Sequence, residues 1–423
     1  FMSSSPKNSY AFSIAIIGML FFIFGFVTWL NGTLIPFLKL ACDLKTDAEA
    51  FLVTFAFYMA YFFLAIPSSY ILKFTGFKKG MAWGLVVMAV GALIFIPAAH
   101  TRVFGFFLTG LFVQGMGLSL LQTASNPYIS IIGPIESAAQ RISIMGICNK
   151  VAGGISPLVL SAIVLQGASE IEMQVNTATD PAIRMQLLDS LAQRVIWPYG
   201  IMTVVLLILA GMILLSPLPE IETASEHEKD TGAGSKSSIL QFPHLLLGVV
   251  CIFVYVGAEV MAGDVIGPYG KSLGISLDET KNFTSYTLFA MVIGYVVGIF
   301  TIPRYIRQET ALRLSALVGL AFSLLILLTS GYTSVMFIAL LGLANALMWP
   351  AIFPLAIDGL GKFTKIGSAL LIMGIAGGAI IPQGYAALAE QLGPQGGFVA
   401  SVVPCYLFIL YYAVRGHRVG KNK

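Results

Sequence analysis

Glu259 and Asp264 sit where carboxylates are rare. They lie inside an otherwise apolar run from His244 to Gly270, HLLLGVVCIFVYVGAEVMAGDVIGPYG. At ~1.5 Å per helical residue such a run is long enough to cross a bilayer core of roughly 30 Å. An ionised side chain at that depth costs on the order of 3 kcal/mol by insertion scales, so its default role is functional, facing a wet interior. The plainer alternative is that one acid neutralises a buried Lys or Arg. A five-residue step at about 100° per residue puts the two acids some 140° apart, on different faces of an ideal helix. Gly257, Gly263, Gly267 and Pro268 weaken regular helix here. A locally unwound segment would aim both acids and freed backbone carbonyls into one cavity.

Other polar groups sit within apolar runs: Asn31, Gln114, Gln122, Asn126, Asn149, Lys150, Asn345, Trp349 and Gln383. A buried amide needs partners, and a lone one, Gln114 above all, can simply bridge two helices. Several amides at mid-depth of separate spans are harder to treat as separate bridges. They offer donors and acceptors together, which suits a hydroxyl-rich neutral solute. Trp349, before Pro350, offers a flat apolar face for a sugar's C–H surface, or a core contact. Lys150 either pairs with a cavity acid or snorkels toward the interface.

The elements that must position these groups are transmembrane helices. Apolar residues make up 57% of the 423 positions and charged ones 10%, against about 45–50% and about 25% in soluble domains. The chain reads as an all-α polytopic membrane protein. Its spans fall near 11–38, 50–72, 81–98, 103–133, 141–165, 194–216, 244–270, 279–303, 311–329, 333–359, 364–390 and 396–415, twelve in all. The first is too long for a cleavable signal's apolar core. Most of the 24 Lys and Arg fall on the side of the two termini, among them Lys73, Lys78, Lys79, Arg141, Lys229 and Arg418. That bias puts both termini in the cytoplasm of a bacterial inner membrane. A net charge of +4 is too small and scattered for nucleic acid.

The polar stretch 217–243 reads as a cytoplasmic linker, with its charged run 226–230 solvated, between a six-helix half at 1–216 and another at 244–423. The stretch 166–194 is a second polar excursion, on the far side, holding a short surface helix. The halves repeat. Gly25 precedes Pro36 by the same step as Gly257 precedes Pro268, and Ile-Met-Gly-Ile occurs at Ile144–Ile147 and Ile372–Ile375. Glycine clusters at Gly153-Gly154 and Gly377-Gly378 follow. Repeats in the same sense describe pseudo-symmetric halves related by an axis along the membrane normal.

Cys42, Cys148, Cys251 and Cys405 show neither a disulfide framework nor metal-ligand spacing. No nucleophile elbow, P-loop or zinc motif is present, which weighs against an enzyme or an ATP-driven pump.

Leu30-Asn31 through Pro36, Gln122-Thr-Ala-Ser-Asn-Pro-Tyr128, Cys148-Asn149 and Tyr255-Val-Gly-Ala258 resemble the fucose permease branch of the major facilitator superfamily, in particular its glucose/galactose transporters. The resemblance covers nearly the whole chain. It implies an alternating-access sugar symporter, working as a monomer without a cofactor. The loop Lys73–Lys79 carries no acid, as is usual in that branch. Two positions depart from the fucose permease pattern. Its span-one Asp is Gly32 here and its span-four Glu is Gln122, and neither can carry a proton. Na⁺-driven members of the branch are therefore the better comparison, with H⁺/sugar symport the alternative and a membrane enzyme or channel behind both. Overlaying the repeat places Gly32 opposite Asp264, so the acid missing from span one returns at its symmetry mate. The expectation is a coupling Na⁺ held by Asp264, helped by Glu259. The hexose, of glucose, galactose or mannose type, would be contacted by Asn31, Gln122, Asn126, Asn149, Glu259, Asn345, Trp349 and Gln383.

Overall fold

A computed structural model of the chain describes residues 6–131, 138–218, 238–302, 304–360 and 363–421. Most of the expected linker, including the charged run 226–230, lies outside the described residues, as do the side chains of Pro127 and Arg141. The secondary structure among the described residues is helical.

The helices are α1 (Pro6–Thr28), α2 (Asn31–Ala41), α3 (Asp47–Ala50), α4 (Leu52–Thr101), α5 (Phe104–Ile131), α6 (Ala138–Val164), α7 (Ala168–Thr177), α8 (Pro181–Gln193) and α9 (Ile196–Leu215) in the first half. The second half has α10 (Pro243–Gly263), α11 (Ile266–Ser272), α12 (Leu277–Thr280), α13 (Phe283–Thr301), α14 (Gln308–Leu328), α15 (Gly331–Asn345), α16 (Met348–Ile357), α17 (Thr364–Met373) and α18 (Gly377–Val414). Ten helical stretches are long and apolar enough to cross a membrane, and two of them are of double length. Each of these two breaks once, at Gly76 (φ 74°, ψ 174°) and Gly393 (φ 75°, ψ 168°). That backbone region is essentially open to glycine alone, so each glycine reverses the chain between two crossings. The result is twelve crossings in two six-helix halves.

Among the described residues four crossings are interrupted along their length: α1 to α2 at Trp29-Leu30, α10 to α11 at Asp264-Val265, α15 to α16 at Ala346-Leu347, and α17 to α18 by a 3-10 turn at Gly374–Ala376. At the second break the Asp264 and Val265 amides both donate to the Val260 carbonyl, at 2.8 and 3.3 Å. Backbone carbonyls of the preceding turn are thereby released, and Ala262 O accepts from Thr287 Oγ1 at 2.7 Å. Irregular backbone at this depth is tolerated only where protein or a cavity satisfies it.

The repeat predicted from Gly25 and Gly257 is visible in the packing. A Cβ on Gly25 would collide with the Asn149 carbonyl, and one on Gly257 would lie 3.3 Å from the Gly377 carbonyl. Likewise a Cβ on Gly377 would strike the Phe253 carbonyl, while the Asn149 amide donates to Phe21 O at 3.4 Å. Asn149 and Gly377 therefore occupy equivalent places, the register set by the Ile-Met-Gly-Ile motif. The two glycine clusters, paired in the sequence reading, are offset from that register by four residues.

The halves meet along two seams, α6 against α13 and α4 against α17 and α18. The end opposite the termini is tied further. The polar excursion there forms two helices, α7 and α8, rather than one. Asp180 caps α8, accepting from the Ala182 amide at 2.9 Å, with Pro181 at its first position. Arg184 of α8 holds Asp43 by two bonds, at 2.8 and 2.9 Å, and keeps that carboxyl below the usual carboxylate range. From α7, Glu172 pairs with Lys271 of the second half, and Ser169 Oγ accepts from the Asp278 amide at 3.3 Å. Lys281 donates to Leu165 O at 3.3 Å, and Ser161 donates to Asn282 at 3.0 Å.

Gly377→Val should lower thermal stability in detergent, by about 1–3 kcal/mol or more, because the added carbons overpack a backbone crossing. An unchanged melting temperature would contradict so close an approach.

Candidate functional site

The buried Lys, Arg, Asp and Glu side chains among the described residues are three: Lys150, Glu259 and Asp264, at 7, 7 and 0 % exposure. They stand together at the seam. Lys150 Nζ donates to Glu259 Oε1 at 2.8 Å. The same ammonium lies 4.5 Å from the centre of the Trp29 ring, within cation–π range. The Tyr255 hydroxyl, one helical turn before Glu259, is also turned to that carboxylate. Trp29 is 2 % exposed and wedged between the halves, since a Cβ on either Gly153 or Gly263 would run into its indole. Glycine at both places is thus required by the ring.

Asp264 has different neighbours, as the 140° separation on the helix required. Tyr58 OH donates to its Oδ2 at 3.4 Å, a long bond, and the Gly32 amide is turned to the carboxylate. Its Oδ1 has no hydrogen-bond partner among the described residues. Gly32, the symmetry mate of Asp264, therefore touches it. A side chain at Gly32 would meet Thr284, so this position presents backbone and nothing larger. The preceding residue, Asn31, is 1 % exposed, and neither its Oδ1 nor its Nδ2 has a partner among the described residues. A carboxylate with one free oxygen and the Tyr58 phenol oxygen thus meet at this break, and oxygen is the donor type that suits an alkali cation.

The remaining sequence candidates divide. Gln122 is partly exposed, and its Nε2 donates to Tyr61 OH at 3.0 Å. Asn126 and Asn149 are partly exposed too, Asn149 bridging to Phe21 O as above. Trp349 stacks on Phe353 (5.7 Å, 25°) and stands 6.4 Å from Tyr255, which links it to the Glu259 carboxylate. The last two bond across other helix pairs. Asn345 is fully buried, and its Oδ1 accepts from Tyr406 at 2.9 Å, between α15 and α18. Gln383 donates to Ala48 O at 3.2 Å and so helps join the halves at the far end.

Tyr58 and Trp29 were not singled out in the sequence. Tyr58 gives no signal there, being one of 16 tyrosines in apolar runs. Trp29 does give one: it stands two residues before Asn31, where helix α1 stops.

Two helical halves crossing the membrane twelve times, with the buried Lys, Asp and Glu side chains of the described residues gathered at the seam between them, define a transporter-type bundle. A family model described as Major Facilitator Superfamily matches residues 17–382, and the chain belongs to that superfamily. It is 33% identical over 419 residues to a glucose/galactose transporter of Brucella abortus biovar 1 (strain 9-941), covering 98% of this chain and 96% of the relative. It is 28% identical over 416 residues to the L-fucose-proton symporter of Escherichia coli (strain K12), covering 97% and 94%. Among solved structures, the Major Facilitator Superfamily transporter FucP in its outward conformation superposes with TM-score 0.73 at 27% identity, covering 98% of this chain and all (100%) of that one.

Tyr58→Phe removes the hydroxyl that donates to Asp264 and leaves a buried carboxylate short of a partner. Stability in detergent should fall by about 1–3 kcal/mol. An unchanged unfolding curve would mean that this long bond contributes nothing.

Proposed function

We propose that the chain is a secondary active transporter carrying a hexose together with one monovalent cation by alternating access, in a bacterial inner membrane with both termini cytoplasmic. The observation that carries this is Asp264. Its carboxylate is fully buried at a helix break, accepts from Tyr58 of the other half through Oδ2, and keeps Oδ1 without a partner among the described residues. Glu259 already has a cation in Lys150, so Asp264 is the acid left for the coupling ion. The sugar is read by the partly exposed amides Gln122, Asn126 and Asn149 and by the Trp349 face. The names of the relatives in Brucella and Escherichia coli support a neutral monosaccharide.

Na⁺ is the favoured ion because Asp264 offers a free carboxylate oxygen beside the Tyr58 phenol and because Gly32 and Gln122 are not acids. H⁺ is the second reading, favoured by the proton-coupled relative and by the lone carboxylate at Asp264.

The site residues act as follows. With the ends of the two halves tied at the far side by Glu172–Lys271 and Gln383–Ala48, the sugar exchanges with the side of the termini. Opening the far end requires those bonds, and the Lys150–Glu259 and Tyr58–Asp264 links across the seam, to lengthen. A cation at Asp264 neutralises that carboxylate and makes separation from Tyr58 and Gly32 less costly, because an uncompensated buried charge is the expensive state. Bilayer potential adds about 2.3 kcal/mol per charge per 100 mV, roughly fifty-fold in accumulation.

Proteoliposomes holding the chain should accumulate labelled glucose or galactose under an inward Na⁺ gradient. Asp264→Asn should abolish accumulation while sugar exchange down its gradient persists. Accumulation in Na⁺-free choline buffer under a proton gradient would select H⁺. Full accumulation by Asp264→Asn would remove Asp264 from coupling.

A further inference from the structure

The buried charges at the seam do not cancel. Glu259 and Asp264 bring two carboxylates to the seam and Lys150 one ammonium, so in their ionised forms the three groups leave one negative charge uncompensated. The Lys150 ammonium is fixed from both halves. Its acceptor Glu259 and the glycine Gly263 under the Trp29 ring belong to the second half, and Trp29 and Gly153 to the first. It sits on carboxylate and ring face together, where a desolvated monovalent cation would be stabilised.

The repeat shows that the position is special. In the register that equates Asn149 with Gly377, Lys150 corresponds to Gly378. A Cβ on Gly378 would meet the ring of Tyr58, the residue whose hydroxyl reaches Asp264. One helix of the pseudo-symmetric pair thus presents an ammonium to Glu259. Its mate presents no side chain next to the neighbour of Asp264.

We propose that Lys150 is a tethered cation: its ammonium takes the place that a second mobile coupling ion would fill at Glu259, and so sets the transport ratio at one cation per sugar. This rests on the reading that Asp264 carries the mobile cation. A dry seam must approach neutrality each time the halves pass one another, so the number of ions carried follows the charge that the side chains leave uncompensated. The wild type leaves one negative charge. Lys150→Gln leaves two, and Lys150→Gln combined with Glu259→Gln restores one.

The test is the membrane potential at which net flux of labelled galactose vanishes, in proteoliposomes of the full chain at set Na⁺ and galactose gradients. Its dependence on the Na⁺ gradient gives the cations moved per sugar. The same series is run with a proton gradient in choline. The expected ratios are one for wild type, two for Lys150→Gln and one for the double variant. A ratio of one in Lys150→Gln overturns the role of Lys150. A ratio of zero in wild type for both ions overturns the coupling reading itself. If Lys150→Gln does not fold, the neutral-pair double variant decides, and any ratio other than one contradicts the charge rule. If Lys150→Gln folds without transporting, its thermal unfolding is read against Na⁺ concentration. Na⁺ should stabilise it more steeply than wild type, and an equal dependence overturns the proposal.

Discussion

The structure depends on where two carboxylates of one helical crossing find their partners. Glu259 and Asp264 belong to the second half, yet Lys150 on α6, Tyr58 on α4 and the Gly32 amide on α2 are all in the first. In the low-dielectric interior of a membrane protein neither carboxylate can stay ionised without such contacts. The seam is therefore held by polar bonds rather than by shape alone. Those bonds have to be exchanged for others whenever the halves rock apart.

Several local features follow from that demand. Helical spacing puts Asp264 on a different face from Glu259, and the break that follows it releases backbone carbonyls, one of which Thr287 takes up. Gly25 and Gly377 let backbones cross in close contact, while Gly153 and Gly263 leave room for an indole between the halves. Trp29 fills the space so created and turns an aromatic face to Lys150. Toward the far end the joint becomes ionic and more exposed, through Glu172 of α7 and Lys271, where water can replace the bond at little cost. A strongly bonded centre and a weakly bonded rim suit a seam that must part and rejoin.

Much of this was legible in the sequence because hydrocarbon punishes charge. Two acids in an apolar run, twelve such runs and a matched Gly…Pro step gave the spans, the halves and the mate relation of Gly32 and Asp264. What could not be read was which neighbour each residue faces. Periodicity assigns a side chain to a face of its own helix, not to the helix opposite. Lys150 was left between an acid partner and the interface, and packing gives it Glu259. Asn345, Gln383 and Gln122 share the signature of cavity amides, and only packing shows that their neighbours are Tyr406, the Ala48 carbonyl and Tyr61. Register within the repeat was ambiguous for the same reason. Glycine clusters look alike in sequence, and only backbone contact shows that Asn149 matches Gly377.

The claim that the polar bonds of α10 hold the halves together is tested most directly by a distance. Spin labels at Met173 and Leu392, both exposed on described helices of the two halves, report the separation of the far ends in nanodiscs. The account predicts one short distance in the otherwise unaltered chain and a second, longer population when Lys150 and Glu259 are both replaced by Ala. An identical distribution in the two proteins would show that the seam is held by something other than these bonds.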